Sequence, residues 1–484
     1  MLQRRQCLTL LAACWAVFST ASAESLIEVY ERARISDPQI READALRLAN
    51  REALPQSRSA LLPQVGFNYT YVESKDDGSR SVSSFIPEFE DPDTGVTVPG
   101  AIRQVPTDFD TDGDTESWTL ELRQSVFRWD RWVQFRRSEK VAAQAEIDYS
   151  AAQQDLMLRV SARYFNVLAA KDTLDSAEAA LESTARQLEQ AEKRFEVGLI
   201  AITDVQEAQA AYDNTVAAVI AAKRDLATAA EFLREITGES YAELQQPGDD
   251  LPLAIPLPAD EDAWVDRSLE QNLTLLSSRV NLDIASDDIK IQRTGYYPTI
   301  DLVASTGNFD QTTDGDSTTV FPNAGSITSP TDSDADIDTD SIQLQLNVPL
   351  FQGGRVRSNV REAVYRQRAA KERLERVMRE TERESRDAYL SLMAEISRVK
   401  ALRRAVESSQ TALEATEAGF EVGTRTTVDV LDARRRLFES ETNYARSKYD
   451  YIVNIIRLKQ AAGILSPRDL MEVDGWLNQS VATR

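Results

Sequence analysis

Two stretches of this chain, 225 positions apart, spell the same turn. Phe195-Glu196-Val197-Gly198 followed by Asp204-Val205 returns as Phe420-Glu421-Val422-Gly423 followed by Asp429-Val430. The correspondence holds from Tyr164 and Tyr389 to Gly238 and Gly463. A period that long is far beyond a solenoid unit, so the chain reads as a duplicated half-molecule. Each half sets long heptad helices beside short alternating strands.

The helical signal is a seven-residue spacing held over many turns. Val160, Val167, Leu174, Leu181, Leu188 and Phe195 lie seven apart, and Leu392, Val399, Val406, Leu413 and Phe420 repeat them. Beyond the turn the spacing resumes as Val205, Tyr212, Val219, Leu226 and Leu233, matched by Val430, Leu437, Tyr444, Tyr451 and Leu458. Ala177, Thr184 and Ala191 interleave small residues that permit close helix approach. A 3.5-residue stripe marks a coiled-coil seam rather than an ordinary amphipathic helix. The helix from about Arg131 to Phe195 should be roughly 100 Å long at ~1.5 Å per residue. Gly198 and Gly423 stand where a helix ends in the left-handed conformation. Asp204 and Asp429 begin the returning helices, where a carboxylate suits the helix dipole. Either aspartate alone needs no further role, but their equivalence in the two halves points to a shared one.

Four segments alternate with period two. They are Val65, Phe67, Tyr69 and Tyr71; Trp118, Leu120 and Leu122; Ile300, Leu302 and Ala304; and Ile342, Leu344, Leu346 and Val348. Pro63 and Pro298 precede the first strand of each pair, and Pro349 closes the last. Strands of about ten residues with one apolar and one polar face fit a transmembrane barrel. Four strands cannot close one, because the smallest membrane barrels use about eight. An open edge in lipid would leave backbone groups unpaired, so strands must be pooled between protomers. The stretches Glu73–Glu116 and Asp310–Asp340, rich in Asp, Ser, Thr, Gly and Pro, read as solvated external loops. Asp108, Asp110 and Asp112 begin like a calcium loop, but Thr119 stands where the bidentate Glu belongs. Asp332, Asp334, Asp336, Asp338 and Asp340 lack a defined ligand spacing as well.

The N-terminus reads as an export leader over residues 1–23. Arg4 and Arg5 precede an apolar run from Cys7 to Phe18, and Ala21-Ser22-Ala23 is a small-residue cleavage site. Leu11-Ala12-Ala13-Cys14 also fits a lipoprotein box that would acylate Cys14. The short apolar stretch before Cys14, and a helix-like pattern starting right after Glu24, favour cleavage after Ala23. No other apolar run approaches the ~18 residues of a membrane helix.

Composition then removes most chemistry. The chain has no His, and Cys7 and Cys14 both lie in the leader. That excludes His-assisted or Cys nucleophiles, the usual zinc ligand sets and disulfides from the exported chain. No phosphate-cradling Gly-x-x-x-x-Gly-Lys-Ser/Thr loop is present. A formal charge of −24 opposes nucleic acid and anionic lipid. The chain reads as neither an enzyme nor a cofactor or metal binder.

The tips carry a resemblance. Val197-Gly198-Leu199-Ile200-Ala201-Ile202-Thr203-Asp204-Val205-Gln206 and Val422-Gly423-Thr424-Arg425-Thr426-Thr427-Val428-Asp429-Val430-Leu431-Asp432-Ala433 resemble the TolC family of outer-membrane efflux and type I secretion ducts. The likeness extends from Glu24-Ser25-Leu26-Ile27-Glu28-Val29-Tyr30 through Leu61-Leu62-Pro63-Gln64 and Ile236-Thr237-Gly238 to Asp469-Leu470. It implies a mixed fold, a membrane β-barrel on a long α-helical barrel, closed only in a homotrimer that supplies four strands per chain. The leader is followed by a first repeat (24–246), a Pro-rich linker (247–258), a second repeat (259–465) and a C-terminal equatorial tail (466–484). The resemblance also implies a periplasmic adaptor (membrane fusion) protein and an inner-membrane RND, ABC or MFS transporter as partners, with the barrel in outer-membrane lipid.

The same resemblance assigns residues. Val197, Gly198, Leu199, Val422, Gly423 and Thr424 match tips that meet adaptor hairpins. Arg425 matches a gate arginine, with Thr203 and Asp204 at its partner positions. Phe420 occupies a position where the family carries a gate tyrosine, so the phenol link is missing here. Asp429 and Asp432 match an acidic ring at the pore entrance. Glu207 is the first-half equivalent of Asp432, where the family carries a neutral residue. The alternative reading is an exported coiled-coil scaffold or adhesin without channel activity.

Overall fold

The computed structural model describes residues 23–91, 93–248, 251–321 and 325–477. The leader expectations, including Cys14, lie outside the described residues, Ala23 excepted, as do residues 478–484 of the tail. Three helices come first: α1 (Leu26–Ser36), α2 (Pro38–Arg51) and α3 (Ala53–Ser59). Strands β1 (Gln64–Ile86), β2 (Phe89–Glu90), β3 (Thr97–Val98) and β4 (Ala101–Phe127) precede the long helices α4 (Trp129–Glu196) and α5 (Ile202–Thr237). The second half repeats the plan. Helices α6 (Glu261–Gln271) and α7 (Leu273–Arg293) precede β5 (Thr299–Phe321), β6 (Gly325–Pro330) and β7 (Ser333–Asn347). Then come α8 (Arg355–Glu421), α9 (Thr427–Ala461) and α10 (Pro467–Leu477).

The described residues fall into two compact units. One lies within Glu52–Lys140 and Ile284–Gln367, the other within Met1–Arg51, Val141–Asp283 and Arg368–Arg484. The first holds the antiparallel sheet, in the order β1–β4–β5 with β6 and β7 sharing the far side of β5. β7 lies against Thr299–Thr313 of β5 and β6 against Asp316–Phe321, so the sheet has four rows. Neither β1 nor the β6–β7 row has a partner on its outer side among the described residues.

One face of this sheet is apolar and open to the surroundings. Val65, Leu122, Ala304 and Ile342 form one cross-strand row, and Ile342 is 81 % exposed. Phe67 stands beside Leu120, Tyr69 beside Trp118, and Leu302 beside Leu344. Further along the same face the rows turn acidic: Glu116 with Asp310 and Asp336, then Asp77 with Asp110 and Asp316.

The acidic segments read as loops are mostly strand. β1 and β4 stay paired from Gln64 opposite Arg123 to Ile86 opposite Ala101. β5 and β7 likewise continue through Asp310 opposite Asp336. The ladder is made by backbone groups, so a hairpin continues past its apolar rows without apolar side chains. Side-chain composition marked where the apolar belt ends, not where the strands end. Tyr69 Oη donates to Glu116 (2.8 Å) and Tyr71 Oη to Asp114 (3.2 Å), and Lys75 reaches Asp112 (3.2 Å).

The second unit holds the main core. Leu26, Val29 and Tyr30 of α1 pack with Leu156, Val160, Tyr164 and Phe165 of α4. Leu233 and Ile236 of α5, Leu392 of α8, Tyr451, Ile452 and Ile456 of α9 and Leu470 of α10 complete it. The linker joins this core through Tyr451, whose hydroxyl donates to the Pro252 carbonyl (2.7 Å) and accepts from the Ala254 N–H (3.1 Å). Away from the core the heptad seams take over, and each hairpin packs on itself. Leu174 meets Val219 and Ala222, and Ala191 meets Val205 and Ala208, all between α4 and α5. Leu413 meets Val430 and Leu437 between α8 and α9.

Candidate functional site: the two hairpin tips

Both hairpins turn by the same hydrogen bonds. Gly198 N–H donates to the Phe195 carbonyl (2.8 Å) and Leu199 N–H to Arg194 (2.8 Å). In the second half, Gly423 N–H donates to Phe420 (3.1 Å) and Thr424 N–H to Gly419 (2.8 Å). This crossed pair is a Schellman cap, and it places the glycines at φ 76° and 77°. Val197 (69 %), Leu199 (73 %) and Val422 (75 %) are held out into solvent beside the glycines.

The returning helices start differently. Thr426 caps α9: its hydroxyl accepts the Asp429 N–H (3.3 Å), and Asp429 Oδ2 accepts the Thr426 N–H (2.9 Å). That reciprocal box holds Asp429 below the usual carboxylate range, chiefly through the Thr426 N–H bond and then the Thr426 hydroxyl. In α5, Asp204 Oδ2 accepts the Ala201 N–H (3.2 Å), but Ala201 has no side-chain oxygen to return the bond. The feature shared by Asp204 and Asp429 is thus, first of all, a helix cap.

The other acidic positions diverge too. Asp432 pairs with Arg435 (3.1 Å) one turn along α9, whereas no ion pair to Glu207 is found among the described residues. Arg425 folds onto its own hairpin: a Cβ added to Gly419 would stand 2.8 Å from Arg425 Cγ. No hydrogen bond or ion pair joins Arg425 to Thr203 or Asp204 within the described chain. The structure therefore gathers Arg425 and Asp429 on one tip, and Thr203, Asp204 and Glu207 on the other.

Sequence reasoning missed two residues that join the tips. Arg194 of α4 lies over the Phe420 ring, 4.9 Å from its centroid, so Phe420 has a polar partner without a hydroxyl. Arg434 of α9 bonds Glu417 of α8 and reaches Ser183 of α4. The signal for it was the run Arg434-Arg435-Arg436, a concentrated positive charge in an acidic chain. No helix among the described residues is long and apolar enough to cross a membrane. Among those residues no group of three or more acidic side chains is poised to hold a metal.

The sequence matches the family of outer membrane efflux proteins over residues 29–239 and 264–464. The chain belongs to that family. Outer membrane protein TolC of Vibrio cholerae serotype O1 is 35 % identical over 466 residues, covering 96 % of this chain and 97 % of the relative. Alkaline protease secretion protein AprF of Pseudomonas aeruginosa is 28 % identical, covering 93 % and 86 %. The solved Campylobacter jejuni CmeC outer membrane channel shares the fold at a TM-score of 0.68 and 18 % identity, over 95 % of this chain and 91 % of that one. This efflux-family chain is an outer-membrane exit duct, and it contributes a four-row antiparallel sheet and long helical hairpins. Its relatives are channels, and the scaffold or adhesin alternative finds no support among them.

Proposed function

We propose that three copies pool their four-row sheets into one barrel and that the hairpin tips form a gate at its periplasmic end. The sheet carries this reading: it has an exposed apolar face and two outer strands with backbone groups left to pair. Residues 1–23 export the chain. The repeats at 24–246 and 259–465, joined by 247–258 and followed by the tail at 466–484, each supply one hairpin. The duct is a conduit without catalysis and works with an adaptor and an energised inner-membrane transporter of the RND, ABC or MFS type.

Exposed Val197, Leu199 and Val422, presented by the hydrogen-bonded turns at Gly198, Gly423 and Thr424, are suited to meeting apolar positions on adaptor hairpins. Asp429, Asp432 and Glu207 make the entrance acidic, and Arg425 closes it against Thr203 and Asp204 of a neighbouring hairpin. The likeness to both TolC and AprF favours a cargo range that includes small toxic compounds and secreted proteins.

Photo-crosslinking residues at Val197 and Val422 in the membrane-embedded protein should each capture the same periplasmic protein. Light scattering of the detergent-extracted duct should give three protomer masses. A monomer that inserts without self-association, or crosslinks only to other outer-membrane proteins, would overturn the assembly.

A further inference from the structure

Near the tips, the buried apolar clusters among the described residues are each internal to one hairpin. One cluster of Ala191, Val205 and Ala208 is internal to α4–α5, and another of Leu413, Val430 and Leu437 is internal to α8–α9. Between the hairpins lies a cleft of about 540 Å³ lined mainly by Ser183, Gln187, Arg194, Glu417, Phe420 and Arg434. Polar surface of that kind gives little hydrophobic adhesion. The apolar core that joins the two hairpins lies farther from the tips, so polar links have more weight here.

Arg434 spans that gap. Its Nε and Nη2 donate to Glu417 Oε1 at 3.1 and 2.5 Å, and its Nη1 donates to Ser183 Oγ. The side chain is about three-quarters shielded, and Ser183 is buried. One planar guanidinium therefore fixes α9 to α8 with one edge and to α4 with the other, a use of its fork that a lysine cannot copy. A further polar link toward the tips is Arg194 over Phe420, eleven residues further along α4 and close to the same helical face.

We propose that Arg434 is a positioning residue of the gate: it braces the second hairpin against α4 of the same protomer and holds the resting duct closed. This rests on the reading of the tips as a gate. Opening separates the hairpins, so the Arg434–Ser183 bonds must break first, whereas the Arg434–Glu417 bonds travel with the moving hairpin.

The test is planar-bilayer conductance of the intact duct. Arg434→Gln should raise resting conductance at least threefold, and Ser183→Ala, which spares the Glu417 pair, should raise it by a smaller factor. Arg434→Lys should not restore the resting value. Because both cysteines of the chain lie in the leader, Ser183→Cys with Arg434→Cys gives a clean pair for a short, reducible bis-thiosulfonate bridge. The bridged duct should stay at low conductance even when Arg425→Ser is added, and should open on reduction. Opening of the bridged duct, or unchanged conductance in both Arg434→Gln and Ser183→Ala, overturns the brace. Arg425→Ser without the bridge separates the two ideas. If it opens the duct while the Arg434 and Ser183 variants stay closed, the gate stands and the brace falls; if it too leaves the duct closed, both fall.

Discussion

The first and second hairpins end in the same turn but leave it with different equipment. Each has a glycine in the left-handed conformation and an aspartate capping the return helix. Only the second adds the Thr426 hydroxyl, a guanidinium folded over its own turn and an arginine pair for its second carboxylate. The first tip is a plain turn, and the second holds most of the polar links.

The largest expected difference between the tips is electrostatic. Carboxylates gathered at a narrow entrance attract multivalent cations strongly. Trivalent cations should block single-channel current at micromolar concentrations, and Asp429→Ala with Asp432→Ala should raise the half-blocking concentration more than tenfold. Glu207→Ala should raise it less. Arg435→Gln should lower it several-fold by releasing Asp432. Equal block in the double variant removes the acidic entrance from the account.

The shared turn offers a symmetrical test. Nothing lies within 4 Å of a Cβ built on Gly198 or Gly423, so a side chain there meets no clash and costs only the left-handed conformation. Gly198→Ala and Gly423→Ala should each destabilise the local turn by about 1–2 kcal/mol, read by amide exchange of the adjoining helix ends. A much larger cost at one glycine would break the equivalence of the two turns.

Capping should then distinguish them. Thr426→Ala should fray the first turn of α9 by about 1 kcal/mol, and Ala201→Thr should stabilise α5 by a similar amount. A neutral result for Ala201→Thr would mean that the first tip cannot accept a completed box.

The smallest effect is with pH. Asp429 is held below its ordinary value, so its cap is present above the unfolded-chain pKa of about 3.9 and is lost as pH falls through the lower native value. Amides at the start of α9 should therefore keep their protection down to about pH 4 and lose it only below. Loss at neutral pH would contradict the observed hydrogen bonds.

Much of this was legible in the residues. The heptad seam predicted burial at Val160, Leu392, Val205 and Val430, which all bury, but not at Phe195, the last seam position of α4, which is 40 % exposed. Glycine at the turns followed from backbone sterics alone. The strand ends were not legible, because Asp110 and Asp316 sit in a ladder that side-chain composition does not report. Arg434 was hidden for another reason. Its partners Glu417 and Ser183 lie 17 and 251 positions away, and no spacing rule brings the second of them near. Local periodicity reveals what each hairpin does to itself, while contacts between hairpins need the fold.

Resting conductance in a planar bilayer, compared between the native duct and Arg425→Ser, tests most directly the claim that this is an exit duct closed at its helical tips. The native protein should insert as a channel of low resting conductance, Arg425→Ser should raise that conductance several-fold, and Phe420→Tyr should lower it by adding a hydroxyl within the tip. A native protein that is already widely open, or an Arg425→Ser variant with the native conductance, would show that the tips do not hold this duct shut.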